Sequence, residues 1–329
     1  MMTAAYIYTA NFGGLRPGDA GRLTHANLSF ALVKDGKGSV SHWPDPGAIR
    51  EFAKNKGGLK VVLSVGGWGA GGFSPAAASP ESREVFAQSL VDIVGDWGLD
   101  GIDMDWEYPC DDVAGIEASP DDRANFTALM RLLREKMGGG KILSMAAGGM
   151  QRCVDNLEIP ELVGILDFIN VMTYDMCPWD RVGYHTALFP SDIARGSPSC
   201  HGAISLYEAA GVPREKLVIG AAFYPRLYRG VDGLDAPAAN PPEFSGGGGG
   251  YAGTLGLVEA AGGLSYDEKA ETAYAYNAKE RLFLSFDNPR SLRAKVGYAR
   301  STGLGGIMFW EYSSDSKDSA LLKAIAGQD

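Results

Sequence analysis

Four acidic side chains stand at regular spacing in an otherwise apolar stretch: Asp100, Asp103, Asp105 and Glu107. Successive side chains of a β-strand point to opposite faces, so the last three acids share one face and the apolar residues between them share the other. If the apolar face packs against helices, the three carboxyl groups lie roughly 7 Å apart inside the fold, where they cannot all stay ionised at little cost. Such packing weakens a core and is typical of functional sites, so the pattern predicts an active site. The alternative is a strand at the edge of a sheet, with its acids in water.

Glu107 is the outermost of these acids, at the carboxyl end of its strand. A carboxylic acid at this position, with a carboxylate two residues deeper, is expected to stay protonated at neutral pH and to donate its proton to a leaving oxygen. We therefore predict Glu107 as a general acid. Asp105 is within reach of both Asp103 and Glu107 and could share protons between them.

The strand that carries these acids is one of eight similar segments. Each is a short apolar or β-branched run that ends at Gly, Pro or a polar residue. The predicted strands are 4–9, 26–33, 60–65, 101–107, 142–147, 168–174, 217–223 and 306–312. The amphipathic segments between them include predicted helices at 80–97, 121–137, 199–210 and 291–301. Ser79-Pro80 and Ser119-Pro120 have the residue types of helix starts.

Repeated alternation of strand and helix predicts an α/β fold, a (β/α)8 TIM barrel, whose catalytic residues stand at the carboxyl ends of strands. A doubly wound open sheet is the alternative, but such sheets usually have fewer strands, and no Gly-rich dinucleotide-binding loop follows the first strand. The interval 227–286 is rich in Pro, Gly and aromatic residues and is too long for an ordinary connection. We predict a catalytic barrel at 1–226 and 287–329, with a small α+β insertion at 227–286, between strand 7 and helix 7, that forms one wall of a cleft. The alternative for this segment is a flexible surface loop.

The composition excludes several classes of partner. A net charge of −10 without a basic run argues against nucleic acid, and no stretch approaches the roughly 20 apolar residues of a membrane helix. No cofactor is expected, and no metal, because Cys110, Cys153, Cys177 and Cys200 lack the close pairs of a metal site; their redox state is left open. No signal peptide is visible at residues 1–10, so the chain acts inside the cell unless an export signal was removed. A monomer is expected.

The spacing Asp-x-x-Asp-x-Asp-x-Glu, followed by Tyr108-Pro109, resembles the signature of glycoside hydrolase family 18, the chitinases. Four further motifs extend the resemblance across nearly the whole chain: Ser64-Val65-Gly66-Gly67-Trp68, Met172-Thr173-Tyr174-Asp175, Phe223-Tyr224-Pro225-Arg226 and Gly305-Gly306-Ile307-Met308-Phe309-Trp310-Glu311. In the third of these, Pro225 stands where the family usually has Gly.

This resemblance implies hydrolysis of β-1,4 linkages next to N-acetylglucosamine in chitin or chito-oligosaccharides, with retention and without a carboxylate nucleophile. The acetamido oxygen of the sugar would attack the anomeric carbon while Glu107 protonates the bond. Asp105 would orient the acetamide and stabilise the oxazolinium ion, with Asp103 as its deeper proton partner. Tyr174 would donate to the acetamide oxygen, and Asp175 would hold the distorted sugar. Fixed dipoles and a carboxylate already in place are the physical means of stabilising such a developing charge.

The resemblance also implies substrate-binding residues around the acids. The full predicted set is Tyr6, Phe30, Gly67, Trp68, Met172, Tyr224, Arg226 and Trp310. Trp310 offers a flat indole face to a pyranose ring, and Trp68 and Trp179 are further stacking candidates. For Tyr6 and Phe30, packing in the core is an equally good interpretation.

Two other functions stay open. An endo-β-N-acetylglucosaminidase acting on N-glycan cores would use the same acetamide chemistry, and a chitin-binding lectin would use the cleft without catalysis. The inserted segment favours a chitinase, because a walled cleft suits a linear chain. Inactive relatives commonly lose the terminal Glu of the signature, whereas Glu107 is present here.

Overall fold

The computed structural model describes residues 1–244 and 250–328, and its strands form two sheets. In chain order the strands are β1 (Met2–Tyr8), β2 (His25–Lys34), β3 (Lys37–Ser39), β4 (Lys60–Gly66), β5 (Gly101–Asp105), β6 (Ile142–Gly148), β7 (Phe168–Met172), β8 (Leu217–Ala222), β9 (Arg226–Arg229), β10 (Glu243–Phe244), β11 (Ser265–Asp267), β12 (Thr272–Asn277), β13 (Leu282–Phe286) and β14 (Gly306–Trp310). Eight of them, β1, β2, β4 to β8 and β14, are parallel, and β1 pairs with both β2 and β14, which closes a barrel. The predicted (β/α)8 TIM barrel is confirmed, and the doubly wound sheet is excluded.

The described part of the chain also forms ten α-helices. They are α1 (Pro46–Lys54), α2 (Phe73–Ala77), α3 (Pro80–Asp96), α4 (Asp122–Met137), α5 (Gln151–Asp155), α6 (Ile159–Ile165), α7 (Cys200–Ala209), α8 (Gly250–Ala260), α9 (Pro289–Thr302) and α10 (Ala320–Ala326). Helix α8 lies in the segment between β8 and α9, and the others belong to the barrel. Ser79 caps α3 as predicted, in a reciprocal pair of hydrogen bonds with Ser82. The second predicted cap is wrong: α4 begins at Asp122, whose carboxylate accepts the backbone N–H groups of Ser119 and Cys110.

The apolar side chains of β5 point outward and its acidic side chains point inward. The core between the barrel and its helices includes Ile102, Met104 and Trp106. Asp103 and Asp105 face the interior and are 0% and 4% exposed. The alternative of an edge strand with its acids in water is therefore wrong. The strand ends two residues earlier than predicted, so the following acid of the row projects from the mouth of the barrel.

Between β8 and α9 the chain forms the second sheet, in the order β10-β9-β13-β12-β11. Val258 of α8 and Leu284 of β13 belong to one apolar cluster of this sheet. Tyr228 and Phe283 belong to another, together with Tyr184 from the connection between β7 and α7. The flexible-loop interpretation is therefore wrong for the described part of this segment; residues 245–249, most of the glycine run, lie outside it. That residues 227–286 are an inserted segment forming one wall of a cleft stays a prediction.

Two further properties concern the described residues as a whole. None of their helices is long and apolar enough to cross a membrane. The cysteines are free thiols, and burial is the main cause that raises the pKa of Cys153, to about 11.

Candidate active site

Asp103 lies in the barrel interior, and four side chains donate hydrogen bonds to its carboxylate. Oδ2 accepts from the hydroxyls of Tyr6 at 2.8 Å and Ser64 at 3.0 Å. Oδ1 accepts from the Ser144 hydroxyl at 2.6 Å and the Asn170 amide at 3.0 Å. The strand register explains the two serines, because Asp103 pairs with Ser64 on β4 and with Ser144 on β6. Burial raises the pKa of Asp103, and these hydrogen bonds act in the opposite direction.

Asp105 lies one step nearer to the mouth and has fewer partners. Its Oδ1 atom is buried and has no hydrogen-bond partner among the residues that the structure describes. Burial raises the pKa of Asp105 well above its ordinary value, and the charges of Glu107 and Asp103 raise it further. This environment favours the protonated form of the carboxyl group.

Glu107 completes the row at the mouth, where it is 8% exposed. Burial is the largest cause that raises its pKa, to about 7; a hydrogen bond with Tyr108 lowers this pKa and the charge of Asp175 raises it. The sequence predicted the deeper carboxylate as the cause, whereas in the structure burial comes first and Asp175, after β7, supplies the charge. A carboxylic acid with this pKa can act as a general acid near neutral pH.

Asp175 follows β7 and is held by three side chains. Arg226 Nε donates to its Oδ1 at 2.6 Å, and the Tyr224 hydroxyl donates to its Oδ2 at 2.9 Å. Nδ1 of the buried His185 ring lies 3.5 Å from Oδ1. Burial alone would raise the pKa of Asp175, but His185 and Arg226 outweigh it and hold this pKa below its ordinary value. Asp175 is therefore ionised near neutral pH.

Tyr174 precedes Asp175, and its phenol is electrostatically coupled to the row of acids. Burial raises the pKa of Tyr174 well above its ordinary value, and the charges of Asp105 and Glu107 raise it further. The hydroxyl stays protonated and lies 3.8 Å from Sδ of Met308, a weak acceptor. It can therefore donate a hydrogen bond to a stronger acceptor in the mouth.

Aromatic side chains surround this mouth. Trp310, at the end of β14, stacks on Phe30 with ring centres 5.3 Å apart and an interplanar angle of 14°. Its ring also lies 6.0 Å from that of Tyr6. Trp68 is 63% exposed and meets the Tyr108 ring edge-on at 6.4 Å. Aromatic faces that are partly open to solvent can stack on sugar rings.

Two glycines allow the end of β4 to approach the acids. Gly66 and Gly67 have φ values of +121° and +92°, which side chains with a Cβ rarely adopt. A Cβ on Gly66 would overlap the carbonyl oxygen of Asp105, and one on Gly67 would lie 2.6 Å from the Phe30 ring. The Gly67 N–H donates to the Asp105 carbonyl at 2.8 Å. Glycine is required here by both conformation and space.

The chain is similar to known proteins along nearly its whole length. Residues 4–315 match the family described as Glycosyl hydrolases family 18. The chain belongs to glycosyl hydrolase family 18. Chitinase A1 of Niallia circulans is 35% identical over 83% of this chain, which spans 44% of that relative's length. Chitinase 1 of Aphanocladium album is 32% identical over 98% of this chain and 82% of its own. The solved structure of a glycoside hydrolase family 18 N-acetylglucosaminidase from Paenibacillus barengoltzii has a TM-score of 0.89 at 35% identity, covering 99% of each chain.

This family 18 chain brings the five residues predicted to act in the reaction to one place. Asp103, Asp105 and Glu107 form the row on and after β5, and Tyr174 and Asp175 follow β7. They do not form a metal site: within residues 1–244 and 250–328, no three His, Cys, Asp or Glu side chains are grouped to hold a metal ion. The roles of the five residues in a reaction stay predictions.

The predicted binding residues occupy different depths. Tyr6 and Met172 are buried in the barrel interior, and the Tyr6 hydroxyl bonds Asp103 and Asn170, so it supports the acids. Tyr224 and Arg226 donate hydrogen bonds to the two carboxylate oxygens of Asp175. The stacking candidate Trp179 is 67% exposed. Direct contacts of the predicted set with a substrate stay predictions.

Sequence reasoning missed several residues of this site. Ser144 and Asn170 are polar residues at inward positions of otherwise apolar strands, and this was a usable signal. Ser64 lies within one of the motifs, but no role was predicted for it. His185 lies in an irregular connection, where no periodicity predicts the direction of a side chain. Tyr108 was recognised only as the residue after the signature.

Proposed function

We propose that this chain is a chitinase that hydrolyses β-1,4 linkages next to N-acetylglucosamine in chitin or chito-oligosaccharides. The observation that carries this proposal is Glu107, a buried carboxyl group at the barrel mouth whose pKa is raised to about 7. Such a group holds a proton that it can give to a leaving glycosidic oxygen. Two curated relatives at 35% and 32% identity are named chitinases, which supports this substrate class.

The nucleophile that we propose is the acetamido oxygen of the substrate. A carboxylate nucleophile would need to be free on the other side of the sugar from the acid. Asp103 and Asp105 lie in one row beneath Glu107, and Asp175 is tied to Arg226. The substrate-assisted route, known as an exception to the two-carboxylate scheme in this family, needs no such group.

The remaining residues have roles that follow from their positions. Asp105, one of whose oxygens has no partner among the described residues, would accept the acetamide N–H, and its dipole together with the charge of Asp103 beneath it would stabilise the positive charge that develops on the ring intermediate. Tyr174 would donate to the acetamide oxygen. Asp175 would hold the distorted sugar and raise the pKa of Glu107. Trp310 would stack beneath the sugar, and Trp68 would stack at the rim.

The test is a time course of product lengths from an end-labelled chito-hexamer, run beside a high-mannose glycoprotein. We expect the hexamer to be cut and the glycoprotein to stay intact. Cleavage of the glycoprotein without the hexamer would favour the endo-β-N-acetylglucosaminidase function. Binding of the hexamer without any product would contradict both enzymatic functions and favour a lectin.

A second candidate is the release of single N-acetylglucosamine units. It is favoured by the likeness to the solved N-acetylglucosaminidase, with a TM-score of 0.89 over 99% of this chain. The same time course separates the two activities, because successive loss of monomers would indicate the second candidate and early dimers or trimers would indicate internal cleavage.

A further inference from the structure

Asn170 is fully buried on β7 and bonds two members of the acid cluster, although it lies outside all the motifs of the sequence. Its Nδ2 atom donates to Oδ1 of Asp103 at 3.0 Å and to the hydroxyl oxygen of Tyr6 at 3.2 Å. Tyr6 uses its own hydrogen on the other oxygen of Asp103. The three side chains therefore form a closed triangle of hydrogen bonds in the barrel interior.

This triangle determines the orientation of the amide. An ionised carboxylate only accepts hydrogen bonds, and the Tyr6 hydroxyl has already donated its hydrogen, so both neighbours require the NH2 group of Asn170. The opposite atom, Oδ1 of Asn170, is buried without a partner among the described residues. Leaving the Oδ1 acceptor of Asn170 unpaired costs free energy, and the hydrogen bond from its Nδ2 to the charged carboxylate of Asp103 compensates for this cost.

The triangle also separates the two inner acids. Asp103 accepts from four donors across both of its oxygens, which favours its ionised form. One oxygen of Asp105 has no partner in the part of the chain that the structure describes, and the charge of Asp103 acts on this carboxyl group. When one of two neighbouring acids is held ionised, the proton of the pair resides on the other.

We propose that Asn170 is a positioning residue for the reaction: its amide holds Asp103 in place as the ionised member of the pair, so that Asp105 keeps the proton. Asn170 acts through Asp103 and Tyr6 and touches no substrate. The kinetic part of this inference rests on the proposed function, whereas the preference for an ionised Asp103 does not.

The variants are Asn170→Ala and Asn170→Leu; the second fills the volume and keeps the test available if the first fails to fold. The matched control is Asn27→Leu, because Asn27 on β2 is equally buried and its amide nitrogen has no partner among the described residues. With chito-oligosaccharides we expect kcat of the Asn170 variants to fall about 10–100-fold with little change in KM. The control should change stability without this split between kcat and KM.

A second measurement needs no activity: the free energy of unfolding of wild type, Asn170→Leu and Asn27→Leu across the acidic and neutral range. Loss of the Asn170 amide raises the pKa of Asp103, so Asn170→Leu should lose most stability at pH values where Asp103 is ionised. The difference in the free energy of unfolding between wild type and Asn170→Leu should shrink as the pH falls through the pKa of Asp103. Tyr6, Asp105 and Tyr174 are the other titratable groups beside Asp103. Of these three groups, only Tyr6 forms a hydrogen bond with Asn170. Burial, and after it the charge of Asp103, keeps the pKa of Tyr6 above the acidic and neutral range.

The inference would be overturned if the loss of stability in Asn170→Leu were independent of pH, as we expect for Asn27→Leu. It would also be overturned if kcat and KM of the Asn170 variants matched those of Asn27→Leu. If wild type cleaves no chito-oligosaccharide, the proposed function fails, while the pH dependence of stability still decides the role of Asn170.

Discussion

At the scale of residues, one carboxyl group carries the chemistry that we propose. Burial and the charge of Asp175 raise the pKa of Glu107 to about 7, so the proton is held through the acidic range and lost just above neutrality. The buried position of Glu107 would also accommodate an uncharged side chain of the same shape. Removal of the proton can therefore be separated from removal of the side chain.

We expect Glu107→Gln to abolish turnover while sugar binding is largely kept, since the amide preserves shape and lacks the acidic proton. The measurements are initial rates on a chito-hexamer and binding of the same sugar by calorimetry. Asp92→Asn, an exposed change on α3, is the control and should behave as wild type. Residual activity within about tenfold of wild type would refute Glu107 as the acid.

The pH profile tests the influence of Asp175 on Glu107. Activity that needs protonated Glu107 should fall as the pH rises through about 7. Asp175→Asn removes a negative charge that raises the pKa of Glu107, so the basic limb of kcat/KM should move to lower pH. The Asp92→Asn variant should leave that limb in place. A basic limb that moves upward or stays unchanged in Asp175→Asn would contradict the electrostatic assignment.

The alternation of side chains along one strand was enough to predict the three inward acids from sequence. It could not predict which groups set their pKa values, because Asp175 and Asn170 come from a different strand and its loop. The contact of His185 with Asp175 depends on an irregular connection, for which local sequence contains no periodic signal.

At the scale of elements, the end of β4 is shaped by backbone conformation. Gly66 has φ +121°, and a Cβ there would overlap the carbonyl oxygen of Asp105. A side chain at Gly66 would strain the backbone of β4 and displace β5, the strand that carries the acids. The free energy of unfolding and the activity should therefore change together.

We expect Gly66→Ala to lower the free energy of unfolding by about 2–4 kcal/mol and to reduce activity. Gly95→Ala is the matched control. Gly95 lies in α3, and apart from its chain neighbours and the nearby backbone of its own helix, no atom of residues 1–244 or 250–328 lies within 4 Å of the place that a methyl group would take. This change should therefore stabilise the helix by about 0.5–1 kcal/mol. Urea unfolding of both variants gives the comparison. If Gly66→Ala and Gly95→Ala changed the free energy of unfolding equally, the backbone conformation at the end of β4 would not require glycine.

A buried ion pair connects α9 to the loops behind the site. Lys295 Nζ donates to Asp287 Oδ2 at 2.6 Å and to Thr186 Oγ1 at 2.5 Å. Asp287 also accepts the backbone N–H of Ala222, at the end of β8. The Thr186 hydroxyl donates to the carbonyl oxygen of Thr173, just before Tyr174 and Asp175. Loss of this pair should therefore loosen several elements at once.

Lys295→Met would leave Asp287 as an unpaired charge in the interior, so we expect a loss of about 3–5 kcal/mol in the free energy of unfolding. Arg131→Met breaks the exposed pair with Glu161, whose side chains are 51% and 60% exposed, and should cost at most about 1 kcal/mol. Chemical denaturation measures both. A cost for Lys295→Met as small as that of the control would show that the buried pair contributes little.

At the scale of the whole molecule, regular spacing of strands and helices predicted the (β/α)8 barrel correctly. The eight predicted strands all form, with ends displaced by one or two residues in most cases, because side-chain patterns do not define the last hydrogen-bonded pair. The inserted segment was recognised by length and composition. In its sheet order, β10-β9-β13-β12-β11, the pairing of β9 with β13 joins strands that are distant in sequence, and local patterns contain no information on such a pairing.

The central claim is that a buried, protonated Glu107 acts together with the substrate's own acetamide, and the anomer formed first tests it most directly. NMR spectra recorded within the first minutes of chito-hexamer hydrolysis distinguish the two anomers of the new reducing ends before they equilibrate. Two successive inversions at the anomeric carbon retain its configuration, so the β-anomer should appear first and relax to the equilibrium mixture. Initial formation of the α-anomer would contradict the substrate-assisted mechanism.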